Sequence, residues 1–539
     1  MRSLQTWLCR LFLVLILFSM VQCANRGNPS GGPEDKTPPV LLKASPDNFT
    51  TEFSGNTITL TFDEFVKLND IQKQLVISPP LKYKPLITPQ SGASREIEIK
   101  IKDTLLPNTT YTINFGQSIV DNNESNPLPF LTYVFSTGTY LDSLTLGGIV
   151  KDAFERKPDD FISVMLYPLD STFTDTTIYS IPPKYITNTL DSTPVFELRN
   201  LKAGAYRLLA VKDQASNNFY DANSDKIGFI KDTIVLPTDS LYLLSLFNEE
   251  PEFKSSVPSF AASNKIIFGY SGKAEDIRIN TLTPLPDSVR TLIRKQPETD
   301  TLNYWISANK LDSLLFTVEH LPSQQIDSYT VRSRKLDMDS LLITSSTRGP
   351  IEPEGKFYIQ GSTPLASVDT SQIRVQVSDS LPQAYSVRLD STENKVWFDF
   401  PVEANSSYSI ELFPSALTDF FGMVNDSLTY NLKSDSYANY GTLRVNLKGP
   451  VRYPVMVDLL DKDGKQVQKR YLERDMQMEF RLLTPGNYGI RVIYDENKNG
   501  QWDTGSIKEL RQAETVKYYP QLIEIRANWE REEVFTVTN

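Results

Sequence analysis

The chain has 539 residues, of which 40% are hydrophobic and 11% aromatic, which is enough for several packed domains and argues against general disorder. Its 55 basic and 66 acidic residues give a net charge of −11 without a dense basic run, so nucleic acid is excluded as an expected partner. One histidine and two cysteines argue against histidine-based triads, multi-histidine metal sites and disulfide frameworks.

The first 22 residues have the pattern of an export signal. Arg2 and Arg10 form a positively charged start, and Leu11–Val21 is an apolar region of about 11 residues. That run is shorter than the roughly 20 residues that span a hydrocarbon core. We therefore predict a cleaved signal peptide over residues 1–22.

Cys23 stands directly after this segment. Met20-Val21-Gln22-Cys23 resembles a lipobox, whose cysteine receives diacylglycerol, although Gln22 stands where the motif has a small residue. Cys9 would leave with the signal peptide, so Cys23 would be the one thiol of the exported chain. We predict lipidation at Cys23 and a flexible tether over residues 23–35; an ordinary secretory signal is the alternative.

Alternation of apolar and polar side chains dominates the rest of the chain. Thr57–Phe62, Glu96–Ile101 and Arg444–Leu447 each place apolar residues on one face, as half-buried strands do. Turn residues recur at the spacing of β-sandwiches. The sequence predicts an all-β fold of tandem sandwiches, and its best short helical candidate is Leu285–Lys295.

Two internal repeats support this architecture. Residues 201–213 and 483–495 share a leucine, a turn glycine, a tyrosine and alternating apolar positions at an offset of 282. Asn108–Ile113 and Asn405–Ile410 form a second pair, whose tyrosine is expected at a strand start with its ring in the core and its hydroxyl near a turn.

Several motifs between residues 36 and 138 carry a family resemblance. They are Pro38-Pro39, the Thr57–Phe62 strand with Asp63-Glu64 after it, Leu106–Tyr111 and the exit strand Tyr133–Gly138. With these motifs, the segment resembles a bacterial Ig-like domain of the SbsA type. Its Asp121-Asn-Asn-Glu-Ser departs from the usual Asp-x-x-Gly-Asn.

The remaining domains are predicted from the repeats and further resemblances. Residues 350–435 resemble a degenerate second Ig-like domain, and residues 143–240 and 440–539 resemble prealbumin-like or Cna-B-like sandwiches. Residues 245–345 are predicted to form one more β-sandwich.

The loop Asp495–Asp503 is the sharpest local motif. Oxygen-bearing side chains stand at positions 1, 3, 5 and 9 and a glycine at 6, which is the spacing of an EF-hand-like calcium loop. Ca²⁺ is therefore the predicted cofactor, with Gln501 contributing its backbone carbonyl. A loop of Asx turns that bind their own backbone is the alternative. The predicted ligands are Asp495, Asn497, Asn499, Gln501 and Asp503.

Other motifs carry little chemistry. His320 is expected at a surface or strand edge, and the dispersed tryptophans are expected in packing. Ten Asp-Ser/Thr-aliphatic sites, such as Asp142 and Asp426, resemble an O-glycosylation pattern of envelope proteins, with turns before strands as the alternative. No catalytic residue is predicted.

These observations favour a non-enzymatic cell-envelope lipoprotein that serves as a spacer or interaction scaffold. Its predicted location is the outer membrane, with the side of the membrane left open, and its predicted partners are the membrane and an envelope protein or glycan. One alternative is a carbohydrate-binding or adhesion module with clustered exposed aromatic residues. The other is a hydrolase with a pair of facing carboxylates.

Overall fold

The computed structural model describes residues 35–189, 193–273, 276–297, 299–308, 312–377 and 381–538. Nearly all regular structure in these ranges is strand, so the all-β prediction is confirmed. None of the helices in these ranges is long and apolar enough to cross a membrane. The chain divides into two compact units, Met1–Ser143 and Leu144–Asn539, which are described separately. The predicted signal peptide, Cys23 and the tether up to residue 34 lie outside the described residues.

The first unit contains sandwich 1, whose two sheets have the orders β1-β2-β5-β4, with β7 paired to β2, and β3-β6-β8. Phe62, Phe115 and Phe135 are buried between the sheets. The elements are β1 (Leu41–Ser45), β2 (Thr57–Leu68), α1 (Ile71–Gln74), β3 (Val76–Ser78), β4 (Leu86–Thr88), β5 (Ser94–Lys100), β6 (Thr110–Asn114), β7 (Ile119–Asp121) and β8 (Thr132–Ser136).

The second unit begins with sandwich 2, whose strands follow the order β11-β10-β13-β14-β16-β9-β12, with β15 paired to β13. The strands that come first and last along the sequence, β9 and β16, lie next to each other in the sheet and pair in parallel. The strands are β9 (Leu144–Asp152), β10 (Ser163–Pro168), β11 (Tyr185–Asn188), β12 (Val195–Leu201), β13 (Gly204–Lys212), β14 (Lys226–Phe229), β15 (Ile234–Leu236) and β16 (Leu241–Asn248), with a 3₁₀ turn at Thr177–Tyr179.

Sandwich 3 consists of the sheets β17-β19-β22-β21, with β18 paired to β19, and β20-β23-β24. The expected helix over Leu285–Lys295 is wrong, because Thr291–Lys295 is a strand that pairs with its neighbour in sequence. The strands are β17 (Lys254–Ser255), β18 (Ser259–Ala262), β19 (Lys265–Ser271), β20 (Ile277–Thr281), β21 (Thr291–Lys295), β22 (Thr301–Ile306), β23 (Ser313–His320) and β24 (Gln325–Arg332).

Sandwich 4 has a four-stranded sheet β25-β27-β32-β31, a five-stranded sheet β26-β35-β33-β29-β30 and the pair β28-β34. The strands are β25 (Ile343–Ser345), β26 (Pro350–Ile351), β27 (Phe357–Gly361), β28 (Leu365–Val368), β29 (Ile373–Val377), β30 (Leu381–Pro382), β31 (Ser386–Asp390), β32 (Lys395–Asp399), β33 (Ser407–Leu412), β34 (Leu417–Asp419) and β35 (Leu428–Ser434), with 3₁₀ turns at Thr370–Gln372 and Tyr437–Asn439.

Sandwich 5 repeats the strand pairing of sandwich 2. Its sheets are β39-β36-β43, with β36 and β43 parallel, and β38-β37-β40-β41, with β42 paired to β40. The strands have the neighbours of their counterparts in sandwich 2, except that β14 pairs with β16 whereas β41 and β43 belong to separate sheets. The two sandwiches are therefore structural repeats. The strands are β36 (Gly441–Lys448), β37 (Val455–Leu460), β38 (Gln466–Leu472), β39 (Met478–Leu483), β40 (Gly486–Tyr494), β41 (Val516–Tyr518), β42 (Ile523–Ile525) and β43 (Glu530–Thr536).

The tyrosines of the second sequence repeat have equivalent positions in sandwiches 1 and 4. Both rings are buried at the start of a strand. The hydroxyl of Tyr111 accepts the backbone N–H of Leu106 at 2.9 Å, and that of Tyr408 accepts the N–H of Glu403 at 2.8 Å. Each tyrosine therefore fixes the turn before its strand, as the sequence predicts and as Ig-like domains do.

Candidate functional site at the junction of sandwiches 2 and 5

The loop Asp495–Asp503 is held by its own side chains. The buried Asp495 carboxylate accepts the backbone N–H groups of Asn499 and Gly500 at 3.0 and 2.9 Å. The Asp503 carboxylate accepts the side-chain amides of Asn497 and Asn499, both at 2.7 Å. Hydrogen bonds between residues of the loop therefore fix its conformation at the end of β40.

The side-chain oxygens of the predicted calcium ligands also face the backbone. Asn497 Oδ1 accepts the N–H of Asn499 at 3.1 Å, and Asn499 Oδ1 accepts that of Gln501 at 2.7 Å. Within the described ranges, no three or more His, Cys, Asp or Glu side chains form a group that could hold a metal ion. Asx turns account for all these contacts, and calcium binding stays a prediction.

Glu514, which the sequence reasoning missed, closes this loop from its far end. Its two carboxylate oxygens accept the backbone N–H groups of Glu496 and Asp503 at 2.8 and 3.0 Å. Burial, and then the charges of Asp503 and Asp495, raise the pKa of Glu514 above its usual value in spite of these bonds. The carboxylate is thus a structural acceptor in a site that disfavours its charge.

Sandwich 2 has the same loop architecture. Asp213 accepts the backbone N–H groups four and five residues later at 3.2 and 2.7 Å. The buried Asp225 accepts those of Gln214 and Asp221 at 3.0 and 2.9 Å, as the carboxylate of Glu514 does in sandwich 5. The bonding pattern therefore belongs to the repeat as a fold.

The connection after this loop differs between the repeats. Leu209 pairs with Phe229 in sandwich 2, 20 residues later, whereas Arg491 pairs with Tyr518 in sandwich 5, 27 residues later. The seven additional residues lie between Asp503 and Glu514, within a nine-residue segment that contacts sandwich 2 and that we call the docking segment (residues 504–512).

A carboxylate after the last strand of sandwich 2 joins the two repeats. Glu249 accepts the backbone N–H of Ile507, in the docking segment, at 2.7 Å and the hydroxyl of Tyr220 at 2.8 Å. Burial and the hydrogen bond to Glu249 raise the pKa of Tyr220, so its hydroxyl remains a donor at neutral pH. The Glu249 carboxylate thus links the docking segment of sandwich 5 to the loop of sandwich 2 that contains Tyr220.

Close packing reinforces this contact. A Cβ atom on Gly505 would lie 2.4 Å from the ring of Phe247 and 2.7 Å from the backbone oxygen of Arg511, so only glycine fits. The side-chain amide of Gln512 donates to the backbone carbonyl of Phe229 at 2.9 Å. The docking segment is therefore fitted to sandwich 2.

Sandwich 2 in turn contributes Phe154 to sandwich 5. Its ring lies 4.6 Å from that of Trp502, and the Arg491 guanidinium lies 4.0 Å from its centroid. The Tyr518 hydroxyl donates to the Phe154 carbonyl at 2.6 Å. These groups cover an apolar cluster on the outer face of sandwich 5 that consists of Met456, Ile493 and Val516.

A buried ion pair lies beneath Phe154. Arg491 donates to one carboxylate oxygen of Asp458 through Nε at 3.0 Å and Nη2 at 2.8 Å. The other oxygen of Asp458 is buried and has no hydrogen-bond partner among the described residues. Sandwich 2 has the apolar pair Met165 and Leu209 at these positions. Sequence reasoning missed the pair because its members lie on different strands.

His320 ends β23, but it is buried because β23 lies between β20 and β24. Its ring stacks on Phe253, with centroids 4.1 Å apart, and Nδ1 lies 2.7 Å from the Ser323 hydroxyl. The expected surface position is wrong, and these contacts show a packing role.

The tryptophans occupy separate environments. Trp305 is buried in sandwich 3, and Trp397 in sandwich 4 has the Lys395 ammonium 5.9 Å from its ring. In sandwich 5, Trp502 lies in the junction and Trp529 is exposed, with a guanidinium 4.6 Å from its ring. Packing with neighbouring cations and rings accounts for these positions.

Comparisons with known families match two segments of the chain. Residues 35–137 match the model of the bacterial Ig-like domain, which confirms the resemblance found in the sequence. Residues 444–509, from β36 to the docking segment, match a family described as an uncharacterized protein conserved in bacteria. No curated protein matches the chain.

Among solved structures, the chain is similar to domains 1–6 of the surface layer protein SbsC, with 12% identity, coverage of 86% of this chain and 66% of that one, and a TM-score of 0.14. The major pilin subunit BcpA of Bacillus cereus has 8% identity, coverage of 73% and 99%, and a TM-score of 0.14. SGBP-B of the Bacteroides ovatus mixed-linkage glucan utilization locus has 10% identity, coverage of 70% and 94%, and a TM-score of 0.19. The chain spans just under two thirds of the SbsC structure.

Proposed function

We propose that this protein is a non-catalytic scaffold lipoprotein of the cell envelope, anchored in the outer membrane through Cys23. The observation that carries the proposal is the use of its buried carboxylates. Each accepts backbone N–H groups or pairs with a basic side chain, and so fixes a loop or a domain contact. They are Asp121, Asp152, Asp225, Asp419, Asp458, Asp495 and Glu514.

This use of carboxylates favours a scaffold over a hydrolase. A glycosidase-type pair needs two carboxylates that face a substrate across about 5–10 Å, one of them able to exchange a proton. The buried carboxylates among the described residues instead bind the chain's own backbone N–H groups or its own basic side chains. The separate tryptophan environments likewise favour a scaffold over a lectin with a shared aromatic platform.

The junction also supports a scaffold function. Phe154 and Glu249 contact residues about 260 to 350 positions later in the sequence, so the second unit closes on itself. We expect such a body to present fixed surfaces to an envelope partner, because contacts between distant domains restrict their relative movement.

Mass spectrometry of the membrane-extracted protein tests the anchor. We expect an N-terminal peptide that begins at Cys23 and carries a diacylglyceryl mass, while a Cys23→Ala variant leaves the membrane fraction or stays unprocessed. The same spectra show whether sugar is present at the Asp-Ser/Thr sites. An unmodified Cys23 in a freely soluble wild-type chain would contradict the proposal.

A further inference from the structure

One solvent-facing side of sandwich 2 is apolar. Val195, Ile149 and Leu243 stand directly opposite one another on β12, β9 and β16, and their exposed fractions are 56%, 47% and 54%. Leu241 is next to them on β16 and is 83% exposed. We call these four side chains the aliphatic face.

The same surface of sandwich 5 is mostly polar, although Val534 stands at the position of Leu243. Register places Arg444 and Asn446 of β36 where β9 has Gly147 and Ile149. Arg444 pairs with Glu479 at 3.0 Å and with Glu530 at 2.8 Å. The Asn446 side chain donates to Glu532, the counterpart of Leu241, at 2.9 Å.

Comparing the two sandwiches shows whether the fold itself requires the aliphatic face. The three strands that carry this surface pair in the same way in both sandwiches, so the fold does not require aliphatic side chains here. Contiguous exposed apolar side chains on one repeat, opposed to a charged network on the other, are typical of an interaction surface.

The aliphatic face is continuous with the junction. Leu241, Leu243 and Phe247 point to the same side of β16, and the ring of Phe247 is buried against Gly505 of the docking segment. Ile149 is followed on the same side of β9 by Lys151. One side of sandwich 2 is therefore already an interface along part of its length.

We propose that the aliphatic face binds the same face of a second copy of this chain. Charge and shape support this occupant. Lys151 lies at one end of the face, and Gly147 beside Glu197 lies at the other. A twofold axis across the strands at Ile149 brings each Lys151 over the space left by Gly147 of the other copy. There it lies next to Glu197, whose carboxylate pairs with Arg199 at 2.6 Å within its own chain and would accept Lys151 as a second cation.

The small area of this contact predicts weak association. Stable interfaces bury about 800 Å² on each partner, and four aliphatic side chains with their rim fall below this value. We therefore expect reversible association that increases with concentration.

The test uses the full-length chain extracted in detergent, with its mass measured by light scattering over a range of concentrations. We expect the protein mass to rise from one chain towards two. Leu243→Lys is expected to weaken this association at least tenfold, because it places a charge between the two faces. Val534→Lys is the matched control, since Val534 is the counterpart of Leu243 in sandwich 5 and is 50% exposed.

Cross-linking provides a second readout. Under mild oxidation, Leu243→Cys is expected to give a disulfide-linked pair of chains, and Val534→Cys is not. A wild-type chain that stays single at every concentration would overturn the proposal, as would equal weakening by both lysine variants. Binding to phosphatidylcholine vesicles that Leu243→Lys abolishes, without self-association, would also overturn it, in favour of a lipid surface.

Discussion

The Arg491–Asp458 pair shows how one position can distinguish two repeats of the same fold. In sandwich 2 the corresponding Met165 and Leu209 are simply apolar. In sandwich 5 both charges are removed from water, and the ring of Phe154 covers the guanidinium. A buried pair of this kind contributes little net stability, but loss of one member leaves an uncompensated charge.

Swapping this pair for its counterpart in sandwich 2 tests that view. Arg491→Leu alone should lower the free energy of unfolding by about 3–5 kcal/mol, because it strands the Asp458 carboxylate. Asp458→Met with Arg491→Leu should recover most of this loss. Urea unfolding followed by tryptophan fluorescence measures both, and a double variant as unstable as the single one would contradict the expectation.

Individual residues were predictable from the sequence where the signal was local. The tyrosines at 111 and 408 lie at strand starts as expected, because a turn and an alternating run are both visible in six residues. The buried position of His320 could not be predicted, because it depends on which strands lie beside β23 in the sheet.

At the scale of elements, aspartates fix the irregular loops between strands. The Asp121 carboxylate accepts the backbone N–H groups of Asn123, Glu124, Ser125 and Asn126 at 2.7–3.0 Å. Burial alone would raise the pKa of Asp121, but the backbone hydrogen bonds outweigh it and the pKa is lowered. These hydrogen bonds hold the loop whose sequence departs from the family pattern.

The lowered pKa of Asp121 predicts a pH dependence. The ionised Asp121 carboxylate contributes fully to the free energy of unfolding above its unfolded-state pKa of about 3.9. This contribution is lost as the pH falls through the lower folded-state pKa. Asp121→Asn should cost about 1–2 kcal/mol at pH 7, because charge-assisted hydrogen bonds become neutral ones. Calorimetry should show this difference shrinking towards pH 3, and Glu124→Gln in the same loop should show no such difference.

Strands were predictable because a two-residue period is a local property. Thr57–Phe62 and Arg444–Leu447 lie in β2 and β36, with one side buried as expected. Leu285–Lys295 failed as a helix because pairing of β21 with β22 outweighed a weak helical pattern.

At the scale of the whole second unit, the docking segment is the feature that separates sandwich 5 from sandwich 2. Its contacts depend on a glycine beneath a ring and on one shared carboxylate. These are short-range requirements, so small substitutions should have large effects on the junction.

Gly505→Ala tests this dependence. The new methyl group would overlap the ring of Phe247, so we expect the docking segment to separate from sandwich 2 at a cost of about 1–3 kcal/mol. Hydrogen exchange at the Ile507 amide should then become faster. Gly489→Ala is the control, because its Cβ would make only ordinary contacts, at 3.7 Å or more; equal exchange in both variants would refute the expected role.

The junction itself could not be predicted from the sequence. The repeats predicted two similar sandwiches, and Trp502 was only one of the dispersed tryptophans expected in packing. Its partner Phe154 lies on a turn almost 350 residues earlier, and no periodicity connects them. The one usable signal was the seven-residue extension in sandwich 5, which appears only when the two repeats are compared strand by strand.

The parallel pairing of the first and last strands has a mechanical consequence. Six residue pairs join β9 to β16, and seven join β36 to β43, so the chain enters and leaves each sandwich at opposite ends of adjacent strands. Tension between those ends slides the two strands lengthwise and loads all their hydrogen bonds together rather than one after another. We therefore expect each of these two sandwiches to resist pulling between its two ends.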